Sequence, residues 1–134
     1  DQDSLFLETM KVLYPKETEN VDAKIFRSKK KEFLERFKAD GFYLIDSLDT
    51  PFKTKLSSSQ KVKRIKAGQD NLLRKIQGLV NEKTKVILIS ATVYRANNEF
   101  LRKSGVNVIN QELIDFPGSG GQRRFREKMT RILS

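Results

Sequence analysis

The sequence predicts an α/β fold: a three-layer sandwich in which helices cover a central, mostly parallel sheet. Two observations lead to this prediction. From residue 42 onward, short apolar runs alternate with longer stretches of helical periodicity, an order typical of parallel sheets with right-handed crossovers. The clearest apolar run, residues 86–89, consists of four consecutive β-favouring side chains. A run of that kind indicates a strand that is covered on both faces.

Five helices are predicted from apolar residues that recur at spacings of three and four. We expect them over residues 4–14, 22–40, 59–81, 92–104 and 120–133. Pro15 ends the first helix, and Gly41 and Gly105 follow the second and fourth. Gly68 predicts a kink in the third helix, because glycine weakens a helix interior.

Three strands are predicted between these helices, over residues 42–45, 85–90 and 106–109. Each is a short run of β-branched or aromatic residues bounded by turn-forming residues. Polar residues predict loops over 15–22 and 53–59.

Composition limits the class of protein. The chain of 134 residues has no cysteine and no histidine, and its formal net charge is +10. One domain over residues 1–134 is expected at this length. The missing residue types exclude disulfides, a zinc finger and the commonest general base. We therefore expect no metal and no cofactor, no membrane span, and a cytoplasmic location. Because the chain begins at Asp1 without methionine, we interpret it as a fragment or a processed form, with part of the domain preceding residue 1.

In the predicted sheet, three turns would follow the carboxyl ends of strands and meet at one edge. They are residues 46–49, residues 90–92 and residues 116–121. Open parallel sheets bind ligands at such an edge. The topology therefore predicts the place of a site without naming its ligand.

The last of these turns has the features of an anion site. Glycines permit close approach of a ligand, and a helix begins directly after them with basic residues in its first turn. Basic residues oppose the helix dipole there unless an anion binds between them. The predicted phosphate-binding residues of this turn are Gly118, Ser119, Gly120, Gly121, Gln122, Arg123 and Arg124. The alternative is a plain strand-to-helix connection whose charges face water.

Two further groups of residues are candidates for function. Asp46 and Asp49 could orient a water molecule or act as a base, although either could simply cap the turn before Pro51. Ser90 and Thr92 are better explained as helix caps, because no histidine could activate a hydroxyl.

The stretch 53–66 contains six cations and no acid, so it could follow a nucleic-acid backbone. Its predicted binding residues are Lys61, Lys63 and Arg64. The alternative is a solvated helix start.

Taken together, these signals resemble a group of uncharacterised bacterial proteins with a uracil-DNA glycosylase-like α/β fold. The resemblance rests on residues 33–37, residues 41–46 with Pro51, residues 86–89, and residues 116–120 before a basic helix. The resemblance implies a three-layer sandwich with a central, mostly parallel sheet. It also implies that the chain is a fragment lacking its N-terminal strand or strands, which would lie before residue 1. In true glycosylases a His-Pro-Ser segment occupies the late loop, and here Phe116 stands in place of the histidine, so the resemblance does not imply glycosylase activity.

The leading functional hypothesis is a protein that binds DNA or RNA, or another phosphate-bearing ligand. The alternative is a hydrolase or transferase acting on a nucleotide or other phosphorylated small molecule. A third interpretation is an interaction module with no ligand.

Overall fold

The computed structural model describes residues 2–48, 52, 55–118 and 120–134. Among these residues 61% are helical and 2% are in strand, with no sheet. The predicted α/β sandwich is therefore wrong. The described part of the chain contains eight helices: α1 (Gln2–Leu13), α2 (Pro15–Thr18), α3 (Ala23–Ser28), α4 (Lys30–Ala39), α5 (Ser58–Ala67), α6 (Gln69–Leu79), α7 (Ala91–Lys103) and α8 (Gln122–Leu133).

All five predicted helical regions are helical, and two of them are divided. The second region breaks at Lys29 into α3 and α4, and the third breaks at Gly68 into α5 and α6. At Gly68 a Cβ atom would lie 2.7 Å from a methyl group of Leu48, so a larger residue at this break would require the Leu48 side chain to move. The short helix α2 was not predicted, although it begins at a proline, a residue favoured in the first helical turn.

The chain forms two compact units. Unit 1 consists of Asp1–Ile45 and Phe116–Ser134, and it holds α1 to α4 and α8. Its core is aromatic: Phe26 lies edge-on to Phe6, with ring centroids 5.5 Å apart, and stacks on Phe33 at 4.7 Å. Helix α8 packs on α1 and buries Phe125 and Met129, which are one turn apart on the same helix face.

Unit 2 is Asp46–Asp115. In it, α5 and α6 both pack against α7. Its core is aliphatic and consists of Leu72, Ile76, Leu88, Leu101 and Val108. No helix in the described parts of the two units is both long and apolar enough to cross a membrane.

The strands predicted at 85–90 and 106–109 are replaced by two extended segments joined by a single parallel bridge, between Val86 and Val108. A side chain interrupts the pairing at Leu88, and beyond it the Ser90 N–H donates a backbone hydrogen bond to the Ile114 carbonyl at 2.8 Å. The amide of Asn110 accepts a hydrogen bond from the Leu88 N–H and donates one to the Leu88 carbonyl, both at 3.0 Å. Because this amide occupies both backbone groups of Leu88, no further ladder bond can form there.

The strand predicted at 42–45 is also wrong. These residues are extended, but none of the described residues pairs with them as a strand. Tyr43 and Leu44 are 60% and 57% exposed, whereas a strand of a covered sheet would bury them. The three-layer, uracil-DNA glycosylase-like architecture is thus contradicted, because its sheet is missing from the described residues.

Candidate functional site

Helix α5 gives the basic stretch a defined shape. Ser57 caps the helix: its hydroxyl accepts a hydrogen bond from the Gln60 N–H at 3.2 Å, and Gln60 Oε1 accepts one from the Ser57 N–H at 2.9 Å. This reciprocal pair satisfies two of the amide groups at the helix start. The sequence that follows is rich in cations, so they are held on a regular helix rather than on a loop.

Burial divides α5 into two faces. Ile65 is 3% exposed and anchors the inner face in unit 2, where α5 packs against α7. Lys63 lies two positions earlier, about 200° around the helix, and therefore points outward. Arg64 is also exposed and Lys61 is half-buried. The three predicted binding residues of α5 lie within a single turn, but on different sides of it. Lys61, four positions before Ile65, lies about 40° from that buried residue and is half-buried, whereas Lys63 and Arg64 are exposed.

The α5 cations have few partners of opposite charge. Within the described residues, no carboxylate lies within ion-pair distance of Lys61, Lys63 or Arg64. The Arg64 guanidinium instead lies 5.8 Å from the centroid of the Phe52 ring. This contact orients the side chain and leaves its charge uncompensated. The positive potential of this face therefore extends into the solvent.

Lys66 of α5 lies close enough to Glu99 to affect the pKa of that carboxyl. The pKa of Glu99 is lowered, chiefly by the hydrogen bond and charge of Lys103, with a smaller contribution from Lys66. Of the other cations in the stretch, Lys55 is exposed, and Lys53 lies outside the described residues.

The glycine turn before α8 belongs to unit 1. Gly120 has a φ of +87°, and a Cβ on Gly121 would lie 2.4 Å from the Phe116 carbonyl oxygen. Gly121 therefore has to be glycine, as the pattern suggested. However, the Gly121 N–H donates to the Gly118 carbonyl at 2.9 Å, so that amide is used within the turn and is not available to an anion.

The residues that follow the turn are partly engaged. Gly121 occupies the N-cap position of α8, and the predicted phosphate-binding residue Ser119 lies outside the described residues. The Arg123 Nε donates to Glu127 at 2.9 Å, one turn later on the same helix. Gln122 is half-buried and Arg124 is exposed. The anion site at this turn stays a prediction.

The proposed catalytic carboxylates gain no support. Asp46 is exposed. Its backbone carbonyl oxygen, rather than its carboxylate, accepts a hydrogen bond from Lys75 Nζ at 2.8 Å. An exposed carboxylate lacks the burial that tunes an acid or base for catalysis. Asp49 lies outside the described residues.

Ser90 is a helix cap, as expected. Its hydroxyl accepts a hydrogen bond from the Val93 N–H at 3.2 Å, and lies 3.3 Å from the Thr92 hydroxyl. The sheet edge that was to gather the three turns is missing from the described residues. Two of the turns belong to unit 2 and the glycine turn belongs to unit 1.

Several buried polar residues were not predicted. In unit 1, Glu8 is 6% exposed and accepts a hydrogen bond from Arg126 at 2.5 Å. In unit 2, Asn97 and Asn110 are both fully buried. Nothing in the sequence around these residues departs from an ordinary helix or loop, so no local signal could have identified them.

Two open depressions are present on unit 1, of about 560 and 370 Å³. Neither is lined by a predicted site residue, and the described residues hold no cluster of three acidic side chains that could bind a metal. A closed pocket for a phosphorylated small molecule is therefore not supported by these depressions.

No protein-family model, curated protein or solved structure showed significant similarity to the chain. The resemblance to glycosylase-like proteins thus stays a prediction, without the fold that it implied. The strongest candidate site that remains is the outer face of α5.

Proposed function

We propose that this protein binds nucleic acid through the outer face of α5, using the phosphate backbone rather than the bases. The observation that carries the proposal is the pair of exposed cations Lys63 and Arg64, with the half-buried Lys61 in the same turn, none of which a described carboxylate neutralises. Cations of this kind bind phosphates by releasing counterions, which is the dominant sequence-independent part of nucleic-acid affinity.

Three further features support the same face. The N-terminal end of α5 carries no acid in its first turn, so the helix dipole adds positive potential next to the lysines. The chain as a whole carries a formal charge of +10, which attracts a polyanion over a long range. A role of this kind also agrees with the cytoplasmic location that the sequence predicts.

The test is a salt titration of binding to a labelled random-sequence DNA duplex, followed by fluorescence anisotropy. The variant carries Lys61→Gln, Lys63→Gln and Arg64→Gln, since lysine, arginine and glutamine have similar helix propensities. We expect its affinity to fall at least about tenfold near 100 mM salt. The slope of log K against log salt should become shallower by about 3.

The matched control removes the same charge elsewhere, with Lys16→Gln, Lys24→Gln and Lys83→Gln. These lysines are exposed, so net charge changes equally and the α5 face is intact. The control should retain most of the affinity. Equal losses in both variants would show that overall charge is sufficient and would reject the α5 site.

Two more outcomes would redirect the proposal. If Arg123→Gln with Arg124→Gln weakened binding more than the α5 substitutions, the contact would belong to the glycine turn of unit 1. If a mononucleotide displaced the duplex at an equal concentration of phosphate, the ligand would be a small phosphorylated molecule instead.

A further inference from the structure

Helix α4 of unit 1 carries a second basic surface. It differs from the basic face of α5 because its lysines surround an exposed leucine. An open depression of about 560 Å³ is lined by Lys30, Lys31, Leu34, Glu35 and Lys38. We call these five residues the α4 face. Leu34 is 41% exposed at its centre, although it lies next to Phe33, which packs against the aromatic core.

The charges of the α4 face are arranged along the helix with a regular spacing. Lys31 and Lys38 are seven residues apart, so they lie about 10.5 Å apart along the axis, on either side of Leu34. Neither lysine has an ion-pair partner within the described residues. Lys30 is partly engaged, with its Nζ 5.3 Å from the centroid of the Phe6 ring.

We propose that the α4 face binds an amphipathic acidic helix of a partner protein. Carboxylates two turns apart on such a helix would pair with Lys31 and Lys38, and an apolar side chain between them would cover Leu34. Complementary charge on both sides of an apolar contact fixes the register of the two helices.

The composition of the face favours this partner over a polyanion. Phosphates offer no apolar group for Leu34, and Glu35 would repel them. A partner helix can instead place a cation opposite Glu35, which makes that residue part of the recognition. The inference is independent of the α5 proposal, because it concerns a different helix and a different ligand chemistry.

The probe is a fluorescein-labelled synthetic peptide of about 18 residues, long enough to form helix, with a leucine stripe flanked by glutamates one turn away on each side. A second peptide has the same charge and carries serine in place of leucine. Both are titrated against the full chain. We expect the leucine peptide to bind and the serine peptide to bind at least about fivefold more weakly.

Protein variants place the contact. Leu34→Ser should weaken leucine-peptide binding by about fivefold, and Lys31→Glu with Lys38→Glu by about tenfold or more. Ile25→Ser is the matched control: Ile25 is 54% exposed on neighbouring α3 and does not line the depression, so binding should be unchanged. All of these positions are exposed or half-exposed, and circular dichroism would confirm that each variant is folded.

The inference would be overturned if the leucine peptide did not bind measurably, if the two peptides bound equally, or if Leu34→Ser left the affinity for the leucine peptide unchanged. A loss of DNA affinity in Lys31→Glu with Lys38→Glu that matched the loss in the α5 variant would also overturn it, because the α4 face would then contact nucleic acid.

Discussion

Unit 1 and unit 2 use their polar side chains in different ways. In unit 1, charged groups pair with each other: Glu8 with Arg126, and Glu17 with Arg36, whose guanidinium lies 3.9 Å from the centroid of the Tyr14 ring. In unit 2, Glu99 and Lys103 pair at the surface, the buried side chain of Asn110 bonds to backbone, and Lys61, Lys63 and Arg64 have no acidic partner within the described residues. The difference teaches that the number of charges does not reveal their role, whereas their partners do.

If unit 2 depends on neutral hydrogen bonds, then Asn110→Leu should be the most damaging single change. Asn110 is fully buried, and its side chain bonds to both backbone groups of Leu88 and to the Glu112 carbonyl. The substitution leaves these groups buried without a partner. We expect the free energy of unfolding of unit 2 to fall by about 3–4 kcal/mol. Amide hydrogen exchange of α6 and α7 measures it.

Asn97→Leu is the matched control for that change. Asn97 is equally buried on α7, but its Oδ1 and Nδ2 have no hydrogen-bond partner within the described residues. Leucine is similar in size, removes the polar group and has a higher helix propensity. We expect no loss and a gain of up to about 1 kcal/mol. Equal losses for the two asparagines would show that packing, and not hydrogen bonding, explains both.

Breaking the ion pair between Glu8 and Arg126 in unit 1 is expected to cause the next largest loss of stability. Arg126→Met keeps an unbranched apolar stem but removes the guanidinium, so that Lys11, at 3.3 Å, is the remaining partner of the buried Glu8 carboxylate among the described residues. We expect a loss of about 2–3 kcal/mol in the stability of unit 1, measured by hydrogen exchange of α1 and α8. Arg123→Met, whose partner Glu127 is exposed, should cost less than about 0.5 kcal/mol.

Alkaline pH tests the same unit through Tyr14. Burial, together with the hydrogen bond that its hydroxyl donates to Asp40 at 2.6 Å, raises the pKa of Tyr14 to about 12. An unfolded tyrosine loses its proton near its usual pKa of 10.0. The folded state therefore retains a proton that the unfolded state releases, so this contribution is complete below pH 10 and is lost as the pH rises through 12.

The contribution of the Tyr14 proton to the free energy of unfolding is on the order of 2 kcal/mol. Urea denaturation at a series of pH values would measure it in the wild type and in Tyr14→Phe. The variant should be less stable at neutral pH and lose less stability between about pH 10 and 12. Parallel curves for the two proteins would contradict a raised Tyr14 pKa.

Helix positions could be predicted from the sequence because they depend on local periodicity. Apolar spacing located all five helical regions, and Gly68 located the break between α5 and α6. The sheet could not be predicted reliably, because a strand needs a partner that its own residues do not specify. Residues 42–45 have the composition of a strand but no strand partner among the residues that the structure describes. Asn110 interrupts the pairing of the other two segments at Leu88.

The candidate site shows the same distinction: features set by neighbouring residues could be predicted, and features that need distant residues could not. The basic run of α5 was predictable because it is contiguous, and its capping by Ser57 keeps it in one helix. The predicted meeting of the three turns depended on a sheet edge, and the described residues contain no sheet, so this part of the site prediction is wrong. The pairing of Glu8 with Arg126 joins residues 118 positions apart, a separation that no local pattern can reveal.

The smallest stability effect is expected where the functional effect is largest. Lys61→Gln, Lys63→Gln and Arg64→Gln remove three cations that the fold does not use, so the stability of unit 2 should change by less than about 0.5 kcal/mol. At low salt it should rise slightly, because mutual repulsion along α5 is reduced. Hydrogen exchange of α5 and α7 at low and high salt would measure both changes.

A loss above about 1 kcal/mol would mean that these cations stabilise unit 2, and their effect on DNA affinity could then arise from unfolding. A stable variant that no longer binds DNA would instead separate the two roles, because cations that contribute nothing to the fold would be required for the ligand.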